Sequence, residues 1–77
     1  MVMIHADPAP VEVWSDGSIR VGGTRLLLEL VVARFEDGEA PNAIASAFSM
    51  PESDIYGAIA YYLRHRDELT EYFARSE

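Results

Sequence analysis

The sequence predicts a mainly α fold: an N-terminal β-hairpin followed by a three-helix, helix-turn-helix-like core. Three observations predict it. Two short alternating stretches, Val11–Trp14 and Ser18–Gly22, flank an Asp16-Gly17 turn signal. Apolar residues then recur at helical spacing, first over Leu27–Asp37 and later from Pro51 to about Ala74. Between them Pro41 and Pro51 each stand where a helix can begin, with only Ser49-Met50 separating the two segments.

Taken in order, Met1 to Pro10 reads as an irregular arm, because Pro8 and Pro10 remove backbone donors and extend the residue before them. Residues 11–77 form one domain. The hairpin, strands about 11–14 and 18–22, is marginal alone and must pack on helices or pair with another chain. Gly22-Gly23 ends it, and Thr24-Arg25-Leu26 bridges to the first helix, Leu27 to Asp37, which Gly38 stops. Leu27, Leu28, Leu30, Val31, Val32 and Phe35 give that helix a wide apolar face, suited either to a central core helix or to one partly buried in a dimer. The second helix runs from Pro41 to Phe48, buried through Ile44, Ala45 and Phe48. The third has its core face along Ile55, Ala58, Ile59, Tyr62, Leu63, Arg66, Leu69, Tyr72 and Phe73. As one rod it is about 35 Å long. The short second helix cannot cover it, so Leu69, Tyr72 and Phe73 need the arm or another chain.

Composition narrows the function. With 77 residues, the chain has a small core, and it has no cysteine to reinforce it by disulfide or thiolate zinc. Association is the remaining support. The net charge is −7, and every basic residue is arginine. Such a body repels nucleic-acid phosphate on average and suits a basic protein partner. No apolar run approaches a membrane span, and the first residues do not form a signal peptide, so the expected location is cytoplasmic.

No constellation points to catalysis, metal or cofactor. The serines occupy turns, caps and helix surfaces, and none stands in a nucleophile elbow. Glu36/Asp37 and Asp67/Glu68 are adjacent pairs that diverge on a helix. His5 and Asp7 are too few ligands for a metal. Gly22-Gly23-Thr24 lacks the lysine of a phosphate loop. The expectation is a binding protein and not an enzyme. Tyr61, Arg64, His65 and Glu68, at i, i+3, i+4 and i+7, form a candidate partner-binding face, with Tyr72 further along. Arg20 and Arg25 are the DNA-contact candidates if a dimer gathers them into one patch. The competing reading gives the arginines to ion pairs within the chain. Glu52 and Asp54 stand where a recognition helix would meet base edges, which counts against major-groove reading.

Three ordered blocks also carry a resemblance: Gly23-Thr24-Arg25-Leu26; Phe35-x-x-Gly38-x-x-Pro41-x-x-Ile44-Ala45-x-x-Phe48; and Asp54-Ile55-Tyr56-x-Ala58-Ile59-Ala60-Tyr61-Tyr62-Leu63-x-His65-Arg66. Together they resemble the bacterial domain-of-unknown-function 433 family, often described as antitoxin-like, over about Trp14 to Phe73. The resemblance implies a winged-helix-related fold, a homodimer, and an antitoxin role in a two-gene toxin–antitoxin module beside a PIN-like ribonuclease toxin. It also implies repression of the module's own operon through operator DNA. It brings no catalytic residues. Gly23, Thr24, Arg25, Gly38 and Tyr62 stand at its motif positions. The leading expectation is an antitoxin-like protein that neutralises a ribonuclease, its acidic tail Asp67 to Glu77 entering the basic groove of the nuclease. The rivals are a dimeric DNA-binding regulator and a structural adaptor.

Overall fold

The computed structural model describes residues 10–75; the arm before Pro10 lies outside the described residues. Two strands, β1 (Val11–Val13) and β2 (Ile19–Val21), pair antiparallel with Val11 opposite Val21 and Val13 opposite Ile19. Four helices follow: α1 (Leu28–Glu36), α2 (Pro41–Phe48), α3 (Glu52–Arg64) and α4 (Arg66–Arg75).

Local chemistry explains the ends of these elements. The hairpin loop closes through Gly17 N–H to the Trp14 carbonyl, 2.8 Å, and Trp14 N–H to the Ser18 carbonyl, 2.8 Å. Gly17 supplies the positive φ of 86° that this three-residue connection needs. The strands are thus slightly shorter than expected: Trp14 and Ser18 flank the three-residue loop but belong to neither strand. At the other end β2 is flanked a second time: Val21 N–H donates to the Leu26 carbonyl, and Leu27 bridges to Arg20. Leu27 is therefore held extended, and α1 starts one residue later than its apolar periodicity suggested.

Helix α1 stops at a Schellman motif. Glu39 N–H reaches the Arg34 carbonyl and Gly38 N–H the Phe35 carbonyl, with Gly38 at φ 93°. Helix α2 ends the same way, Met50 N–H to Ala45 and Ser49 N–H to Ser46, but here a serine takes the left-handed position at φ 55°. Pro51 then precedes α3. A short helix, a three-residue turn and a longer helix make the helix-turn-helix arrangement.

The core joins Val11 and Val21 of the hairpin to Leu28, Val31 and Val32 of α1, Ile44 and Ala45 of α2, Ile55, Ala58, Ile59 and Tyr62 of α3, and Leu69 of α4. Two expectations change here. The third helix is not one rod. It breaks at His65, whose φ of −122° and ψ of 29° leave the helical region, and α4 begins anew. No glycine or proline marks that site. Continued straight, the helix would carry Leu69 off the core. Burying a leucine contributes about 1.5–3 kcal/mol, more than the roughly 1 kcal/mol net of a backbone hydrogen bond lost at the break. The chain thereby buries Leu69 within itself, without a second copy, and packs Phe73 against the same cluster. The second change concerns α1: Leu28, Val31 and Val32 are buried, whereas Leu30 turns outward.

Candidate interaction surfaces

The motif residues Gly23-Thr24-Arg25 build the corner between hairpin and α1. Gly23 lies at φ 75°, and its N–H donates to Glu12 Oε1 at 2.5 Å. Thr24 donates to the Val21 carbonyl through both its N–H and its hydroxyl, and its hydroxyl oxygen accepts Leu26 N–H. The Arg25 carbonyl accepts Arg20 Nη1 at 2.6 Å. The motif thus folds the chain back so that Leu26 and Leu27 line β2 before the helix starts.

The two hairpin arginines differ. Arg20 is engaged: Nε donates to Ser18 Oγ, Nη2 lies 3.9 Å from Asp16, and the guanidinium sits over the Trp14 ring. Asp16 in turn accepts from the hydroxyl and the N–H of Ser18, which, with Arg20, hold its carboxyl below the usual range. Arg25 is exposed, with its side chain in no ion pair among the described residues. Arg34 pairs with Glu39 and Arg75 with Glu71.

Arg66, expected on the core face, is exposed and reaches from the helix break to α1. Its Nη2 donates to Glu36 Oε1 at 2.8 Å, and the Tyr62 hydroxyl donates to the same oxygen at 2.5 Å. Phe35 meets the Tyr62 ring edge-on at 6.4 Å between centroids. Burial pushes the Tyr62 phenol up, and its bond to Glu36 adds to that. The bond from Tyr62 and the Glu36 charge push the Arg66 guanidinium up. This cluster ties α1, α3 and α4 together. Glu36, which sequence reading treated only as one of a diverging carboxylate pair, is its centre. Its signal was long-range and had no local counterpart.

Of the partner-face candidates, the structure groups three. The Tyr61 and His65 rings lie 4.5 Å apart, and His65 Nδ1 is 3.7 Å from Glu68 Oε1. Arg64 is exposed beside them, on the rim of a shallow depression lined by Leu63 to Glu68. Tyr72 does not join them: its hydroxyl donates to the Gly17 carbonyl at the hairpin loop, so it anchors α4 to the hairpin. Leu63 was read on the core face and is 49% exposed, and Tyr56 is 53% exposed. At 100° per residue, Leu63 lies about a quarter turn from Tyr62, enough to leave the buried face.

The outward side of the helix-turn-helix is therefore acidic and aromatic at the start of α3, where Glu52, Ser53, Asp54 and Tyr56 are exposed. On α4, Asp67, Glu68 and Glu71 are exposed as well. Among the described residues no cluster of side chains is arranged to hold a metal ion, and no helix is long and apolar enough to cross a membrane.

Hairpin, helix-turn-helix and a separate last helix define a small, mainly α domain. The chain belongs to the DUF433 family, proteins of unknown function, whose family model matches residues 15–62. That span runs from the hairpin loop to Tyr62 and leaves α4 outside it. No curated protein and no solved structure matches the chain.

Proposed function

We propose that this chain is an antitoxin-like protein that binds and neutralises a PIN-like ribonuclease, docking through the acidic outer side of α4. One observation carries the reading. The charge of Arg66 is balanced by its pair with Glu36, while Asp67, Glu68 and Glu71 are left exposed, so the strip offered to a partner is predominantly anionic. A nuclease groove that binds RNA must present cations, and an anionic helix complements it. The partner's identity comes from the family resemblance.

The test is co-purification with the product of the adjacent gene, read together with inhibition of its ribonuclease activity. Deleting Asp67 to Glu77 is a poor probe, since it removes the buried Leu69. Triple charge reversal, D67K/E68K/E71K, keeps the core. It is expected to raise the inhibitory concentration by about tenfold or more, and wild-type inhibition is expected to weaken with salt. Unchanged inhibition by the triple variant would sink the α4 docking site. A neighbouring product without nuclease activity would favour a structural adaptor.

A second reading, a DNA-binding regulator of the same operon, draws support from the helix-turn-helix geometry and the unpaired, exposed Arg25. A mobility-shift assay on the chain's own promoter decides it. Binding that falls steeply with salt and drops on R25A would advance that reading.

A further inference from the structure

The exposed ridge of α3 is self-complementary, and we propose that it pairs antiparallel with the same ridge of a second copy of this chain, across a two-fold axis passing beside residue 58. Six exposed residues make the ridge: Glu52, Ser53, Tyr56, Ala60, Leu63 and Arg64. They fall in pairs placed symmetrically about position 58. Tyr56 faces Ala60 of the second copy, large against small. Leu63 faces Ser53, again large against small. Glu52 faces Arg64, opposite charges at each end, about 18 Å apart along the axis.

Charge identifies the occupant. Glu52 and Arg64 each lack an ion-pair partner among the described residues. The other cations paired through their side chains, Arg20, Arg34, Arg66 and Arg75, are satisfied within the chain. One end of the ridge is anionic and the other cationic, so reversing its direction reproduces its complement. That is the requirement of an isologous two-fold interface. Two half-exposed apolar side chains, Tyr56 and Leu63, supply area that water covers poorly. Pro10 bounds the ridge on one flank: a Cβ on Gly57 would meet Pro10 Cβ at 3.4 Å.

Sedimentation velocity over a concentration series tests it on the full chain, with circular dichroism confirming that each variant is folded. The wild type is expected to be dimeric. E52R and R64E, each alone, put like charges at both ends and are expected to raise the dimer dissociation constant by about tenfold or more. The double variant E52R/R64E is expected to recover the dimer. So is an equimolar mixture of the two single variants, because the heterodimer restores both opposite-charge contacts. A60R, with bulk at the crossing, is expected to be monomeric. A wild type that stays monomeric overturns the proposal. So do single variants that dimerise as the wild type does, or a mixture that fails to recover. Loss of dimer only when residues 1–9 are removed, with the charge variants unaffected, also overturns it and assigns the interface to the arm.

Discussion

Glu36 Oε1 receives both the Tyr62 hydroxyl and the Arg66 guanidinium, so one carboxylate oxygen fixes where α3 and α4 stand against α1. Y62F keeps the buried ring and removes the bond. It is expected to lower unfolding stability by roughly 1 kcal/mol, read by urea denaturation at neutral pH. The phenol also carries a pH signature. Its folded-state pKa is raised, so the fold holds the proton more tightly than the unfolded chain does. The contribution is complete below the unfolded pKa of about 10 and is lost as pH rises through the folded value. Stability should therefore decline through that alkaline range, and less steeply in Y62F. Asp16 behaves in the opposite sense. Hydrogen bonds from Ser18 lower its pKa, so its contribution is present above the unfolded value of about 3.9 and lost as pH falls through the folded one. D16A should flatten that acid limb in a pH series of thermal melts.

Among the elements, the α2–α3 turn is the most revealing. Ser49 holds a left-handed conformation that glycine accepts without steric cost. S49G is expected to raise stability by up to about 1 kcal/mol, and S49V to lower it by about 1–2 kcal/mol, both measured by chemical denaturation. Elements with local signals were legible in the sequence. Pro41 at its start and the break after Phe48 place α2 where the structure has it, and Asp16-Gly17 places the hairpin loop. The break at His65 was not legible, because no residue there disfavours a helix; what bends it is the core's demand for Leu69. Leu63 was misassigned for a related reason. Helical spacing identifies an apolar stripe, but how wide a stripe neighbours cover depends on tertiary packing. The Tyr61, His65 and Glu68 grouping was legible, since one helical face suffices to bring them together. The place of Tyr72 depended on a hairpin 55 positions away.

At the scale of the whole molecule, α4 belongs to the core as well as to the surface. L69A is expected to cost about 2–4 kcal/mol, a large fraction of what a domain of this size has, and to reduce the urea midpoint without changing the transition's cooperativity. Surface charge reversals on the same helix should change the unfolding free energy by no more than about 0.5 kcal/mol, which separates the helix's supporting role from its proposed docking role. Self-pairing of the α3 ridge would also occupy the helix that a helix-turn-helix protein lays in the DNA groove. The dimer proposed here and major-groove reading by α3 therefore exclude each other.

The bond from Tyr72 to the Gly17 carbonyl has a bearing on synthesis. Tyr72 lies 55 positions after Gly17, so the hairpin is translated before its anchor. A two-stranded ribbon is marginal by itself; Val11 and Val21 seat it on the core with α1 and α3, and its loop is tied down only once α4 has been made. A chain interrupted before residue 66 lacks both Leu69 and the Tyr72 bond and is expected to be cleaved by proteases faster than the full chain, read by limited proteolysis.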